Sequence, residues 1–271
     1  MSYNTLEIEI DDRVALITFN RPKVLNAFDS ELVEETRSAL AELELNDKVL
    51  AIIVRGAGRA FSAGFDLKAG AASAGQRGPV EWRALLESDF NFIMGFWNCS
   101  KPTIAAVHGY CIGGAFELSL ACDVTVAAKS TKFGAPEVKF GSGAVALLLP
   151  WIAGPKAAKE LLLTGDDKVS ADRALSLGIV NYVVEDGDET NQALTIARAI
   201  SRAQPSAVRL TKLAINRSFD AMGLRNALAS ALEIDIFIET SGGPSRSEFD
   251  RIRRERGLKA ALEWRDGLTY S

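Results

Sequence analysis

The chain has 271 residues, 48% of them hydrophobic, with a formal net charge of −4 and one histidine. That length suits one large domain, or a domain with an appendage, and the apolar content excludes global disorder. A net-acidic chain lacks the phosphate attraction behind non-specific nucleic-acid or membrane-surface binding, and a single histidine, His108, excludes His-rich metal sites and HExxH chemistry.

Residues Thr5–Ile10 alternate polar and apolar, Val14–Phe19 is a second β-like run, and Asp11-Asp12 between them reads as the turn of an opening hairpin. Arg21-Pro22 breaks the pattern. Asp29 or Ser30 then caps a helix that carries Leu32, Val33, Thr36, Leu40, Leu43 and Leu45 at helical spacing. Ala51–Val54 is short and wholly apolar, as a strand buried on both faces would be. A loop with Gly56, Gly58 and Gly64 follows. Ala69–Pro79 is rich in Ala, Gly and Ser and predicts a mobile loop, and Trp82 to Trp97 predicts a helix. Thr103–Val107 is a further buried strand ended by Gly109. Gly113-Gly114 opens a helix through Ala121, and Val124–Ala128 is the next strand. Strands alternating with helices imply parallel pairing and right-handed crossovers. After residue 150 helices dominate. Ser170 caps a short one, Ile179–Val184 is a strand, amphipathic helices run from about 189 to 238, and Glu248–Trp264 predicts one charged helix. The expected organisation is an α/β core over 1–200 and a helical region over 201–271.

The N-terminus, MSYNTLEIEIDD, has neither the cationic flank nor the apolar stretch of a secretory signal, and no run reaches the roughly 18 apolar residues that span a bilayer. The cysteines Cys99, Cys111 and Cys122 are odd in number and form no CxxC, which suits free thiols in a reducing compartment. A soluble, cytoplasmic protein is the expectation.

Several chemistries are absent: there is no GxSxG nucleophile elbow and no GxxxxGK[ST] phosphate loop. Gly141 to Ala146 matches GxGxxA, but the Pro136-containing segment before it is not a clean strand. Four segments make chemical sense together. Ala60 to Lys68 (AFSAGFDLK) is a turn small enough for backbone N–H groups to approach a ligand, or an ordinary strand-to-helix connection. In Gly109 to Glu117 (GYCIGGAFE) a buried strand ends, paired glycines follow and a helix starts. Its free N–H groups suit a developing oxyanion. Glu117, between Phe116 and Leu118, is costly there unless partnered or functional; otherwise it favours the helix dipole. In Phe133 to Glu137 (FGAPE) a carboxylate follows a Pro-fixed turn beyond a buried strand, as a catalytic group or as surface charge. Asn20 to Ala27 (NRPKVLNA) offers cations near a phosphate, or a turn with solvated charges.

Taken in order, N-R-P-K-x-x-N-A, A-F-S-A-G-x-D-L, K-P-x-I-A-A-V-x-G-x-x-x-G-G-x-x-E-L, C-D-x-x-x-A and F-x-x-P-E resemble the enoyl-CoA hydratase/isomerase (crotonase) superfamily. So do L-L-L-T-G-D and the block from Ser170 to Val180. The resemblance covers residues 5 to 185 in detail. It implies an α/β fold, a crotonase-type spiral of ββα units with a helical C-terminal region that closes subunits into trimers or hexamers. It implies catalytic Glu117 and Glu137, and an oxyanion hole from the backbone N–H groups of Phe65 and Gly114. The CoA moiety would lie along Ala63, Gly64, Phe65, Asp66, Leu67 and Lys68, with Lys23 and Arg21 near its entrance. No metal or separate cofactor is implied, because CoA belongs to the substrate. The implied reaction is reversible syn addition of water to a trans-2-enoyl-CoA. Alternatives within the superfamily are an isomerase, a decarboxylase, or a hydrolase of a β-keto or cyclic acyl-CoA. A non-catalytic CoA- or RNA-binding relative is a further alternative, against which stand both glutamates and the acidic charge. One segment departs from the resemblance. Where hydratases carry G-x-x-P-G-x-G-G-T-x-x-L, this chain has Gly141-Ser-Gly-Ala-Val-Ala-Leu-Leu-Leu-Pro150, which affects water placement and acyl-group choice.

Overall fold

The computed structural model describes residues 3–67 and 77–267. Strand β1 (Leu6–Asp11) pairs antiparallel with β2 (Val14–Phe19), then α1 (Ser30–Leu45) and β3 (Ala51–Gly56) follow. The Asp29 carboxylate accepts from Leu32 N at 3.0 Å and so starts α1. Next come α2 (Pro79–Asn98), β4 (Thr103–Val107), β5 (Tyr110–Ile112), α3 (Gly114–Ala121), β6 (Val124–Ala128) and β7 (Lys132–Gly134). After these lie α4 (Leu149–Ile152), α5 (Gly154–Thr164), β8 (Val169–Ser170), α6 (Ala171–Ser176) and β9 (Tyr182–Val184). The chain ends with α7 (Glu189–Ser201), α8 (Pro205–Ala221), α9 (Leu224–Ser241), α10 (Pro244–Arg256) and α11 (Leu258–Asp266).

Six strands form one sheet in the order β1-β2-β3-β4-β6-β9, parallel from β2 onward. A smaller sheet has the order β5-β7-β8. The chain therefore lays a strand in the large sheet, bends, lays a strand in the small one and leaves through a helix: β4-β5-α3 is one such unit. This is the ββα spiral. The centre of the large sheet is buried on both faces, which is why β2, β3 and β4 are mostly apolar. Ala193 and Ala197 of α7 cover one face, packing on Val14, Leu16, Ile53 and Ile104. The other face carries the main core, including Phe28, Phe92, Phe96 and Phe116.

Three elements differ from expectation. The strand expected at Ile179–Val184 is confined to Tyr182–Val184, because Ile179 and Val180 bury themselves in the turn after α6. The helix expected over Glu248–Trp264 breaks at Gly257 (φ 86°) into α10 and α11. Asp250 and Arg253 of α10 are buried, as is Arg265 of α11. The loop expected at Ala69–Pro79 lies largely outside the described residues, and Pro79 itself opens α2. No helix among the described residues is long and apolar enough to cross a membrane.

Candidate active site

The segment from Ala60 to Asp66 runs between two others and is bonded to both. Phe61 N donates to His108 O (2.8 Å), Ser62 N to Tyr110 O (3.0 Å), Ala63 N to Leu25 O (2.9 Å) and Asp66 N to Phe28 O (2.9 Å). Asn26, wholly buried, fastens this junction. Its Nδ2 donates to Ala57 O, Ala60 O and Phe61 O at 2.8, 2.8 and 3.2 Å, and its Oδ1 accepts from Arg21 N. Ser62 Oγ donates to Asn26 O and accepts from Gly64 N. The N–H groups of Ala63, Gly64 and Asp66 are thus all engaged, whereas that of Phe65 has no acceptor among the described residues.

The Gly64 turn meets the start of α3. At φ 81° Gly64 is in the left-handed region, and a Cβ there would stand 2.5 Å from Ile112 O and 3.1 Å from Gly114 N. Gly113 N donates to Gly134 O, but Gly114 N, the first of α3, likewise has no acceptor among the described residues. A Cβ on Gly114 would collide with the Phe65 ring at 2.4 Å, so only glycine allows this packing. Two free N–H groups, Phe65 and Gly114, therefore lie on adjoining backbone at a helix start, where negative charge is favoured.

Two carboxyls converge on the same turn. Every residue of α3 is buried, Glu117 among them. Glu117 Oε2 accepts from Ala146 N at 2.9 Å. The atypical 141–150 segment thus grips Glu117 through its backbone. Glu137 opens a short 3-10 turn after Pro136 and lays Oε1 over Gly113, 2.6 Å from where a Cβ would be. Its other oxygen, Oε2, is hidden and unpartnered. Burial drives Glu117 well above the ordinary carboxyl range, helped by the charge of Glu137 and opposed by the Ala146 and Val145 N–H groups. Burial likewise raises Glu137 to about 7, with Asp235 adding to the effect and Arg265 opposing it.

Lys23 is exposed, in the turn Pro22–Val24 next to the Leu25–Ala63 hydrogen bond. Arg21 is not a free cation: it pairs with Asp29 (2.7 Å) and Asp66 (3.4 Å) and donates to Ala27 O. Leu67 O accepts from Arg253 of α10 at 2.9 Å. Lys68 lies outside the described residues. The sequence reading did not single out Asp89 of α2, Asp235 of α9 or Arg253. The signal for the two aspartates is periodicity: each sits on its helix's apolar face, between Leu86 and Ile93 and between Leu232 and Ile236. A cavity of about 680 Å³, lined by Trp97, Trp151, Lys212, Asn216 and Phe219 among others, includes none of these site groups. Among the described residues no three His, Cys, Asp or Glu side chains are grouped to hold a metal ion.

The sequence profile of the enoyl-CoA hydratase/isomerase family matches residues 9–262. The chain belongs to that family. The crystal structure of an enoyl-CoA hydratase/isomerase from Xanthobacter autotrophicus Py2 superposes with a TM-score of 0.97 at 48% identity, covering 100% of both chains. A probable enoyl-CoA hydratase of Mycobacterium tuberculosis is 37% identical over 82% of this chain and 84% of its own length. A short-chain-enoyl-CoA hydratase of Clostridium acetobutylicum is 36% identical over 80% of this chain and 83% of its own. The family assignment accounts for the spiral: it is the scaffold that brings the Gly64 turn, the start of α3 and the Pro136 turn to one place.

Proposed function

We propose that this family member is an enoyl-CoA hydratase, adding water reversibly across the double bond of a trans-2-enoyl-CoA. The observation that carries the reading is the convergence of Glu117 and Glu137 on the turn where Phe65 N–H and Gly114 N–H are free. Those donors receive the thioester oxygen, on which charge builds as water attacks C3, and losing one such donor typically costs about 3 kcal/mol of transition-state stabilisation. Glu117 takes the proton from water, and Glu137 delivers a proton to C2. The pair needs one proton in total, and burial with mutual repulsion separates the two proton affinities accordingly. Dehydration starts from the pair with its proton on Glu117: Glu137 removes the C2 proton while Glu117 protonates the leaving hydroxyl. Hydration starts from the same pair with its proton moved to Glu137.

Backbone along Ala63 to Leu67 and the side chain of Lys23 would hold the CoA portion, with no separate cofactor. We also place the protein in the cytoplasm, a reading supported by its three free, buried cysteines, and expect a homo-oligomer, because Leu210, Ile215, Ile234 and Phe237 on α8 and α9 are exposed.

The test is the disappearance of the conjugated-thioester absorbance. Glu117→Gln and Glu137→Gln should each lose roughly 10²–10⁴-fold in kcat while still binding acyl-CoA. The wild-type kcat/KM should rise as the pair loses its first proton near pH 7 and fall at higher pH as it loses the second. Absence of hydration by the wild type, together with conversion of a 3-enoyl-CoA that Glu137→Gln abolishes and Glu117→Gln leaves nearly normal, would replace the hydratase reading with an isomerase.

A further inference from the structure

A third buried carboxyl, Asp235, lies against the 141–150 segment, which the family resemblance associates with the acyl group. Asp235 is 2% exposed, and neither of its oxygens makes a hydrogen bond of ordinary geometry, although the Gly143 N–H lies near enough to favour its ionised form. It is aimed at the segment that holds Glu117: its Oδ1 lies 2.2 Å from where a Cβ of Gly143 would be, three residues before Ala146. Residue 143 thus has no side chain and the carboxyl fills that space. Asp89 faces it from α2, near enough that Asp235 raises its proton affinity. The helix face around Asp235 is otherwise Leu224, Leu228, Leu232 and Ile236, packed against α2. A leucine there would complete an ordinary apolar interface. An unpartnered buried carboxyl in its place costs stability and contributes nothing to packing.

The charges around Asp235 come from every side. Glu239 lies on its own helix, Asp89 on α2, Glu117 on α3, Glu137 on the Pro136 turn and Arg246 on α10. Arg246 is already held by Glu239 (3.0 Å) and Asp250 (3.2 Å). Glu239 also accepts from Ser142 Oγ. Arg77 pulls on Asp89 and Arg246 on Asp235, but neither aspartate forms a salt bridge among the described residues, and burial holds both carboxyls up to about 7. A buried carboxyl in that state is a hydrogen-bond donor as much as an acceptor.

We propose that Asp235, seconded by Asp89, is a specificity-determining hydrogen-bond donor to an oxygen carried on the acyl chain beyond the reacting carbons. The preferred substrates are then acyl-CoA esters bearing a distal hydroxyl or oxo group rather than plain alkyl esters. This rests on the hydratase reading for where the acyl chain lies. A site built to bond a substrate oxygen penalises the analogue lacking it, because its own polar group is then left buried and unpaired.

The experiment compares kcat/KM for 2-enoyl-CoA esters of equal chain length that carry a distal hydroxyl, an oxo group, an amino group or no substituent. Dissociation constants of the matching saturated acyl-CoA esters, by calorimetry, give a readout that needs no turnover. The wild type should favour the oxygenated esters by about tenfold or more in both measures, the net value of a hydrogen bond to a desolvated partner. Asp235→Ala should bring that ratio close to one. Asp235→Asn, whose amide still donates, should keep the ratio. In the wild type the ratio should fall between pH 6 and 8.5 as Asp235 ionises, and in Asp235→Asn it should not. Equal handling of all esters by the wild type, an unchanged ratio in Asp235→Ala, or preference for the amino ester would overturn the proposal. If no ester is hydrated yet the saturated oxygenated esters bind more tightly, the hydratase reading fails and the specificity assignment stands.

Discussion

The buried acids make a prediction about folding that is independent of catalysis: the protein should lose stability as pH rises through neutrality. Asp89 illustrates the size of the effect. It is 9% exposed on the apolar face of α2, and burial moves its carboxyl from 3.8 to about 7, against the pull of Arg77. The folded chain therefore holds this proton more tightly than the unfolded chain. The resulting stability is fully present below the unfolded value and declines as pH rises to about 7. Between pH 5.5 and 7 the unfolded carboxyl is ionised while the folded one is largely not. At about 1.36 kcal/mol per pH unit, that window costs about 2 kcal/mol for one such group. Asp235 and Glu137, raised in the same direction to about 7, steepen the slope. Glu35 opposes it, because its carboxyl is lowered by hydrogen bonds from Asn4 and Thr5, but its influence falls below this window. The assay is urea unfolding at pH 5.5, 7 and 8.5 at one protein concentration, on the wild type and Asp89→Asn. The wild type should be most stable at pH 5.5, and Asp89→Asn should flatten the slope by about 2 kcal/mol over the lower interval. Stability that is constant or rises from pH 5.5 to 7, or an Asp89→Asn slope equal to that of the wild type, refutes the reasoning.

Gly64→Ala should cost stability and turnover together, since it places a Cβ 2.5 Å from Ile112 O at a left-handed φ; melting and hydration assays on one preparation check it. Asn26→Asp should be among the most damaging single changes, by about 3–5 kcal/mol, because it removes the donor shared by three carbonyls and buries a charge facing their oxygens; chemical unfolding measures it. Sedimentation velocity at micromolar concentration should show an assembly larger than the monomer, and Phe237→Glu, at a side chain 71% exposed, should weaken it.

The path of the chain through the site is legible in the sequence wherever a local rule fixes it. Gly64, Gly113 and Gly114 are readable as glycines of a tight turn and a helix start, where Ile112 O, the Glu137 carboxyl and the Phe65 ring respectively take the place of a side chain, and Glu117 because an acid between Phe116 and Leu118 has no ordinary reason to be there. Asp89 and Asp235 break the same rule, but each belongs to a long amphipathic helix whose outer face is also charged. Their burial depends on how α2 and α9 meet, which is a tertiary fact. The tail illustrates the opposite error. Its arginines have the spacing of a solvated helix, yet Asp250 pairs with Arg253 at 2.8 Å inside the fold, and Arg253 reaches Leu67 O. Charge density predicts exposure only where no complementary charge waits on a packing partner.

That reach from α10 to Leu67 bears on how the site is kept in shape. Main-chain donors cannot be tuned by changing a side chain, so their aim has to be set by whatever holds the backbone. At the Gly64 turn there are three holdfasts: Ser62 within it, and two from distant parts of the chain, Asn26 beneath it and Arg253 at its far end. The first two are buried, short and rigid. The third is a long side chain on a helix that also carries Asp250 and Arg246, whose partner Glu239 lies one helical turn from Asp235. One ion-pair network thus runs from the helix that carries the third carboxyl to the loop that carries the Phe65 donor. Arg246 feels the charge of Asp235 directly, and the Leu67 end of the turn is tied to the same helix through Asp250 and Arg253, so the surroundings of Asp235 and the backbone that carries the Phe65 donor share one set of charges.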